Sequence, residues 1–368
     1  MSDPAGFRAI RVCDDGSIEV LDQTRLPFER VTLSLSGVED CARAIATMQV
    51  RGAPLIGVVG AFGLALAIRD DPGDGALQAA FERLALTRPT AVNLRWALQR
   101  VRACVSGVPP AQRAAAAWRQ ACDIADEDVA INRRIGDAGA ALLRGLADRR
   151  GGAGRPVTGA QPLQVLTHCN AGALATVALG TALSPLYVLH AAGLPLHVWV
   201  DETRPRNQGA ALTAWELTQA GVPCTVIADN AGGQLMREGR VDAVIVGCDR
   251  VARNGDVANK VGTYLKALAA RDCGLPFYVA CPTSTLDLAL SDGAAIPIEA
   301  RSPREVTHVT GRDASGALVE VQLTPDGVAA HNPAFDVTPA RLVTALVTER
   351  GPCGASQAAI AALMAGSA

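Results

Sequence analysis

Aromatic and charged residues are scarce in this chain. Phe, Trp and Tyr make up 4% of its 368 residues, and Asp, Glu, Lys and Arg together make up 19%. The hydrophobic fraction of 49% excludes an intrinsically disordered chain, and the interior must be built mainly from Ala, Val and Leu. A chain of this length is too long for one ordinary hydrophobic core and long enough for two.

The chain also lacks an excess of one charge sign. Its formal net charge is -2, and it contains no polybasic run. This balance excludes the broad positive field that a nucleic-acid backbone requires and the basic cluster that binds an anionic membrane. A small anionic ligand stays possible, because it needs only two or three well-placed cations.

Signals for secretion, membrane insertion and disulfide bonding are missing as well. The first residues, MSDPAGFRAIRV, lack the basic and then apolar pattern of a secretory signal, and the apolar stretch 54–68 is too short to span a bilayer. The ten cysteines are scattered, with no C-x-x-C pair. We therefore expect a cytoplasmic protein whose cysteines are mostly small core residues.

Motifs for common cofactors are not found. No G-x-G-x-x-G follows a strand and no Walker motif is present, so neither NAD nor ATP is indicated. His190, His197, His308 and His331 lack the spacing of metal ligands. We expect an activity that needs no metal and no other cofactor.

The hydrophobic pattern changes in the middle of the chain. Apolar runs at 9–13 and 17–21 flank a D-D-G turn and predict a β-hairpin. Helical spacing then predicts five helices, at 39–50, 54–69, 76–87, 91–104 and 111–147. After these, short apolar runs alternate with helical segments, which predicts a parallel sheet with helices on both faces.

These patterns predict an α/β protein with two domains. Residues 1–146 form a small, mainly helical N-terminal domain with a short β-hairpin. Residues 147–162, rich in Gly, Pro and Arg, form a linker or exposed loop. Residues 163–368 form a Rossmann-like domain.

Polar or reactive residues follow five of the apolar runs. The five ends are T-H-C-N (167–170), D-E-T-R (201–204), A-D-N (228–230), G-C-D-R (247–250) and A-C-P-T (280–283). One polar end would be ordinary turn chemistry. Because ligands bind at the carboxyl edge of open α/β sheets, five such ends together predict a binding site there.

Cys169 lies in the first of these ends, between His168 and Asn170. A lone cysteine is usually a buried structural thiol. Its place among the strand ends favours a nucleophile, a proton carrier or a polarisable neighbour of a developing charge. Gly172 follows in a strand-to-helix turn, and we expect the N–H groups near it to hold an anion.

Asp249 follows the apolar run D-A-V-I-V-G-C. A carboxyl group at the end of a buried strand can have a pKa raised by desolvation, which suits a general acid. The structural alternatives are a helix N-cap and a surface pair with Arg250.

Two cations, Lys260 and Arg51, are candidate ligands of an anion. We expect Lys260 near a helix N-terminus, where a cation is unfavourable unless it binds a ligand such as phosphate. Arg51 precedes Gly52 and Pro54 in a loop whose N–H groups could approach a phosphate closely. Arg95 lies in an amphipathic segment, where a solvent-facing position is the default.

Several long motifs together resemble one known family, the methylthioribose-1-phosphate isomerases. They are R-G-A-P-L-I-G (51–57), T-H-C-N-A-G-A-L-A-T (167–176), V-D-E-T-R-P-R-N-Q-G (200–209), L-T-A-W-E-L (212–217), G-C-D-R-V-A-R-N-G-D-V-A-N-K-V-G-T-Y (247–264), P-F-Y-V-A-C-P-T-S-T-L-D (276–287), I-P-I-E (296–299) and N-P-A-F-D-V-T-P (332–339). The wider family includes regulatory subunits of the translation initiation exchange factor, ribose-1,5-bisphosphate isomerases and 5-deoxyribose-1-phosphate isomerases.

The resemblance implies a small N-terminal domain joined to a Rossmann-like domain, usually in a homodimer. It implies that Asp249 is the proton donor and that Cys169 stabilises the transition state. The partner it implies is a sugar 1-phosphate. The substrate contacts it implies fall on Arg51, Gly52, Ala53, Arg95, Gln208, Asn259 and Lys260.

The activity implied is conversion of 5-methylthioribose 1-phosphate to 5-methylthioribulose 1-phosphate in methionine salvage. A 5-deoxyribose-1-phosphate isomerase, or one enzyme for both sugars, is the alternative, because the substrates differ only by sulfur and methyl at C5. A regulatory subunit that only binds a sugar phosphate or nucleotide is a third possibility. The presence of both Cys169 and Asp249 argues against it.

Two positions depart from the family pattern. Ala211 stands where Q-G-x-R-L-T has Arg, and Cys248 replaces the common Ala before Asp249. Neither change removes a catalytic group. Ala211 bears on local contacts and on the far end of the substrate.

Overall fold

The N-terminal region begins with a small antiparallel sheet. The computed structural model describes residues 8–88 and 92–366. Strands β1 (Ile10–Val12) and β2 (Ile18–Leu21) form the predicted hairpin. A third strand, β3 (Thr32–Leu35), pairs with β2 and was not predicted, because it is largely exposed and carries little apolar signal.

Five helices follow, as the spacing predicted. They are α1 (Val38–Ala46), α2 (Ala53–Asp70), α3 (Asp74–Ala85), α4 (Val92–Val105) and α5 (Pro110–Gly152). Most residues of α2 are buried, and the other helices pack around it. A helix that is apolar on all sides is typical of a position in the centre of a core.

Helix α2 is longer than the sequence patterns indicated. It has 18 residues and is long and apolar enough to cross a membrane by length and composition, so the argument that this stretch is too short was wrong. However, 72% of it is buried inside the protein. Burial of this extent is what a core helix shows.

Helix α5 connects the two hydrophobic cores. Ala117 and Ala121 pack with the N-terminal helices, whereas Ile135 and Leu143 pack against the main sheet. The helix continues past Ala147 to Gly152, so the predicted linker begins inside it. The division into two domains stays a prediction.

The remaining chain alternates strands and helices. Its strands are β4 (Leu163–Thr167), β5 (Leu196–Asp201), β6 (Cys224–Ile227), β7 (Ala243–Val246), β8 (Arg250–Ala252), β9 (Val257–Lys260), β10 (Phe277–Ala280), β11 (Leu286–Asp287), β12 (His308–Arg312), β13 (Leu318–Gln322), β14 (Phe335–Thr338), β15 (Ala345–Thr348) and β16 (Gly351–Cys353). Its helices are α6 (Ser184–Ala191), α7 (Ala214–Gln219), α8 (Ala231–Arg237), α9 (Thr263–Asp272), α10 (Arg304–Thr307) and α11 (Gln357–Met364).

Six parallel strands make up most of the main sheet, in the order β6-β5-β4-β7-β10-β15. The short β16 pairs antiparallel with β15, so the sheet is mixed rather than purely parallel. A tight turn between consecutive strands produces this antiparallel edge. The strand order reverses between β4 and β7, and such a reversal opens a ligand crevice at the carboxyl ends of the strands.

Helices cover both faces of this sheet, as predicted. Val165 and Ile245 belong to a cluster that packs against α5, α6 and α7. Leu166 and Val244 point to the other face and pack with α8, α9 and α11. Neighbouring residues of each strand therefore enter different cores.

A smaller sheet and a hairpin lie after Asp249. The smaller sheet has the order β11-β8-β9-β14, and β12 pairs with β13. These strands have two to five residues, too few for a clear apolar pattern, and they were not predicted.

Candidate active site

The backbone at Cys169 has a left-handed conformation, with φ +64°. Its N–H donates to Thr203 Oγ1 at 2.8 Å, and its carbonyl accepts from Thr213 Oγ1 at 2.6 Å. The residue is buried, and its thiol donates to Gln208 Oε1 at 3.5 Å. A non-glycine residue rarely adopts this φ, so these hydrogen bonds fix the direction of the thiol.

Asn170 connects this loop to the N-terminal helices. Its side-chain oxygen accepts a hydrogen bond from Arg51, which also donates to the Asn170 carbonyl at 2.7 Å. The Asn170 amide donates to Glu216 Oε1 at 2.8 Å. The loop that carries Cys169 is therefore tied to the residue that precedes α2.

The turn near Gly172 does not offer free N–H groups to a ligand. A short 3₁₀ helix follows it, and the N–H groups of Ala173 and Leu174 donate to the Glu216 carboxylate at 2.7 and 3.0 Å. Tyr187 donates to the same carboxylate at 3.0 Å. The expectation that a ligand anion binds here was wrong, because a carboxylate of the chain itself satisfies these donors. Burial raises the pKa of Glu216, and these hydrogen bonds oppose that shift.

The segment Arg51-Gly52-Ala53 forms the start of α2. Gly52 has φ +95°, and a Cβ added there would lie 2.4 Å from the carbonyl oxygen of Ala175. Only glycine permits this close approach between the two backbones. The arrangement brings the N-terminus of α2 against the loop that follows Cys169.

Asp249 is the third residue after the end of β7, and it lies next to the start of α2. It lines a small cavity of about 50 Å³ together with Gly52, Ala53 and Arg88. Its backbone N–H donates to the carbonyl of Ala258 at 2.9 Å. The carboxyl group, the N-terminus of α2 and an arginine therefore share one enclosed space.

Burial raises the pKa of Asp249 above its ordinary value. The positive charges of Lys260, Arg301, Arg51 and Arg88 act in the opposite direction. Desolvation is the stronger of the two influences. A carboxyl group in this setting keeps its proton to higher pH than an exposed aspartate, as a general acid requires.

Lys260 is the last residue of β9 and not part of a helix, since α9 begins only at Thr263. Lys260 still lies near a helix N-terminus, as expected, two residues before the N-cap Gly262. The ammonium group is buried, donates to the carbonyl of Ala334 at 2.9 Å and lies 5.2 Å from the Phe335 ring centroid. Burial, followed by the charge of Arg301, lowers its pKa to about 8.

The other expected contact residues, Gln208, Asn259 and Arg95, lie at different distances from Cys169 and Asp249. Gln208 is next to the Cys169 thiol. Asn259 precedes Lys260 in β9 and donates to Thr263 Oγ1 at 3.0 Å. Arg95 is exposed on α4 and does not line the cavity that contains Asp249. Gln208 thus lies beside Cys169, and Gly52 and Ala53 lie beside Asp249. The charges of Arg51 and Lys260 act on both Cys169 and Asp249.

Arg88, Arg301 and Glu216 belong to this site, and sequence reasoning missed them. Arg88 directly precedes Pro89, and nothing in its local pattern separates it from a solvated loop residue. Arg301 and Glu216 lie beside or within matched motifs, which was a usable signal.

A larger cleft of about 630 Å³ opens beside Arg51 and Gln208. It is lined by the loop after β2, the segment after β5 and the hairpin of β12 and β13. Ala211 also lines it. The small side chain, where the family pattern has Arg, leaves this part of the cleft open.

His168, Asp201 and Asp229 could together offer ligand atoms to a metal ion. Both imidazole nitrogens are already engaged, with Asp201 Oδ2 at 2.8 Å and the Val261 carbonyl at 2.9 Å. The Lys266 ammonium also lies 3.2 Å from Asp201 Oδ2. Because a carbonyl only accepts, Nε2 must carry a proton, and this arrangement is better suited to joining strand ends than to binding a cation.

The chain belongs to the Initiation factor 2 subunit family, which matches residues 49–354. Methylthioribose-1-phosphate isomerase from Acidiphilium cryptum is 55% identical over 364 residues, which cover 98% of this chain and 96% of the relative. The enzyme of the same name from Rhodospirillum rubrum is 58% identical over 351 residues, 95% of this chain and 89% of the relative. Within the wider family, the chain is thus a member of the methylthioribose-1-phosphate isomerase group.

Two solved structures support this placement. The 5-methylthioribose 1-phosphate isomerase from Pyrococcus horikoshii has 40% identity and a TM-score of 0.83, and the match covers 97% of this chain and 96% of that one. The translation initiation factor eIF-2B, subunit delta, from A. fulgidus has 38% identity and a TM-score of 0.76, over 95% and 96%.

Proposed function

We infer that this protein is an aldose–ketose isomerase that converts 5-methylthioribose 1-phosphate to 5-methylthioribulose 1-phosphate in methionine salvage. The observation that carries this is the identity of 55% and 58% to isomerases of that name over nearly the whole chain. Cys169 and Asp249, as a thiol and a desolvated carboxyl at neighbouring strand ends, supply groups that this chemistry needs.

The substrate requires an acid. Its anomeric oxygen carries the phosphate, so the sugar cannot open to a free aldehyde as ordinary isomerase substrates do. Ring opening needs a proton on the ring oxygen, and we assign its delivery to Asp249. The raised pKa of that carboxyl supports the assignment, because the group must be protonated when the substrate binds.

Hydrogen must then move from C2 to C1, and two routes are open. A hydride shift passes through positive charge at C1, which a polarisable sulfur at Cys169 would stabilise. A proton transfer passes through an enediol-like phosphoenolate, with Cys169 as the base. Both routes need water kept out, and the burial of Cys169 supports this requirement.

We assign the phosphate to the space around the start of α2. Gly52, Ala53 and Arg88 line the cavity that contains Asp249, and the charges of Arg51 and Lys260 act on the same carboxyl group. Helix N-termini and cations both favour an anion.

The remaining contacts are proposals of different kinds. Gln208 lies beside Cys169 and would contact the reacting end of the sugar, while Asn259 would assist next to Lys260. Arg95 stays a predicted contact from the family resemblance alone. A homodimer, a cytoplasmic location and the lack of a cofactor are proposals on the same basis.

The deciding experiment compares turnover of 5-methylthioribose 1-phosphate and 5-deoxyribose 1-phosphate. We expect activity on the first, with kcat/KM for the second within about 10- to 200-fold, because a small apolar group rarely discriminates more strongly. No turnover of either sugar by folded protein would contradict the assignment. It would favour the alternative of a non-catalytic regulatory subunit.

A further inference from the structure

The charges of Lys260, Arg301 and Arg88 all act on Asp249. Arg88 and Arg301 are ion-paired with Glu299, at 3.7 Å and 3.3 Å, and their side chains are 13% and 8% exposed. Lys260 is also buried. Among the residues that the structure describes, Glu299 is the carboxylate that forms ion pairs with this group. Three cations against one ion-paired carboxylate leave an excess of buried positive charge, which is costly, so the group is suited to binding an anion such as phosphate.

Arg301 has a fixed position within this group. Its backbone N–H donates to the Asn332 carbonyl at 2.9 Å, and Glu299 holds its guanidinium. The guanidinium lies 5.4 Å from the ring centroid of Phe335. Lys260 Nζ lies 5.2 Å from the same centroid. One aromatic ring therefore contacts both cations.

We propose that Arg301 is a positioning residue of the isomerase, which acts through Lys260 to set how strongly the substrate phosphate is held. This rests on the proposed function, in which Lys260 binds that phosphate. Arg301 itself need not touch the substrate. Its effect is exerted by charge repulsion on Lys260 and by their shared packing on Phe335.

The charges that face Lys260 determine the direction in which its pKa changes when one of them is removed. Burial lowers the Lys260 pKa to about 8, and Arg301 is the leading charge that acts in the same direction, followed by Arg51. Cys169 and Asp249 favour the ammonium form. Because Lys260 must be protonated to hold a phosphate, KM for the substrate rises as the pH rises through this pKa, whereas loss of the Asp249 proton lowers kcat. Removing the charge of Arg301 raises the pKa of Lys260 and moves the rise in KM to higher pH.

The test follows the pH profiles of 1/KM and of kcat for 5-methylthioribose 1-phosphate separately, with Arg301→Gln, Arg301→Lys and the control Arg271→Gln, an exposed arginine on α9. The plateau and the basic limb named below are those of 1/KM, which reports how strongly the substrate is held. We expect Arg301→Gln to lower the plateau about tenfold and to move the basic limb up by about one pH unit. Arg301→Lys keeps the charge and should leave the basic limb near its wild-type position. Arg271→Gln should match the wild type.

Two results would overturn the proposal. One is a wild-type profile in Arg301→Gln; the other is an equal loss in both Arg301 variants with no movement of the basic limb, which indicates a purely structural role. Glu299→Gln provides a second measurement with the opposite sign, since loss of its negative charge should move the basic limb to lower pH. An unmoved limb there also contradicts the proposal, even if Arg301→Gln does not fold. A wild-type protein without turnover would instead refute the proposed function.

Discussion

Cys169 and Asp249 come from the ends of β4 and β7, which are neighbours in the main sheet. They are far apart in sequence, but the reversal of strand order brings their loops to one crevice. Each has a feature that a merely structural residue would not need. Cys169 has a left-handed backbone held by Thr203 and Thr213, and Asp249 is a carboxyl group kept in an enclosed space.

Conservative substitutions test these two roles. We expect Cys169→Ser and Asp249→Asn each to fold normally and to lose at least about a hundredfold in kcat, because each removes a reacting group and keeps the volume. Steady-state kinetics with folding checked by circular dichroism measures this. Near-wild-type rates in either folded variant would remove that residue from the mechanism.

At the scale of elements, the start of α2 is the part of the fold on which the site depends most. The positive φ of Gly52 and its contact with Ala175 bring the N-terminus of this helix against the Cys169 loop. The main sheet alone does not create the phosphate site that we propose. It requires this helix to be pressed against the carboxyl ends of the strands.

Gly52→Ala should therefore lower both the stability and the activity of the protein. A Cβ 2.4 Å from the Ala175 carbonyl must displace the backbone, in addition to the cost of a positive φ. We expect the free energy of unfolding to fall by more than about 2 kcal/mol in chemical denaturation. Gly107→Ala is the matched control, since Gly107 also has a positive φ, +77°, but no atom within 4 Å of the added Cβ. Equal losses in both variants would show that the contact with Ala175 has no effect.

At the scale of the whole molecule, the candidate site lies between the N-terminal helices and the main sheet. Arg51 precedes α2, whereas Lys260 ends a strand of the smaller sheet. Arg51 already binds Asn170 across this boundary, so the two regions are joined without a ligand. A phosphate held by both cations would add a second connection.

Arg51→Ala and Lys260→Ala should then raise KM and also lower kcat. The reason is that phosphate binding and the positioning of the reacting groups depend on the same contacts. We expect kcat/KM to fall roughly ten- to a hundredfold in each variant, as for other charge-assisted contacts. Arg83→Ala, on the exposed side of α3, is the control and should change activity by less than about twofold. Changes below twofold in both test variants would mean that the phosphate is held elsewhere.

The sequence was enough to predict the α/β class, the helical N-terminal region, and the positions of Cys169 and Asp249 at strand ends. These features follow from local hydrophobic periodicity and from motifs that are contiguous along the chain. It did not determine where Lys260 lies, because the strands of the smaller sheet are too short to show a pattern. Nor did it indicate that Glu216 occupies the N–H groups after Gly172.

Long-range packing brings Arg88 and Arg301 beside Asp249 and leaves Arg95 exposed on α4, and no local pattern predicted either. This is because the burial and the ion-pair partners of a charged side chain depend on its neighbours in space. An arginine in a loop has the same sequence signature whether it is solvated or buried against a carboxylate. Which of these it is depends on contacts between residues that are distant in the chain.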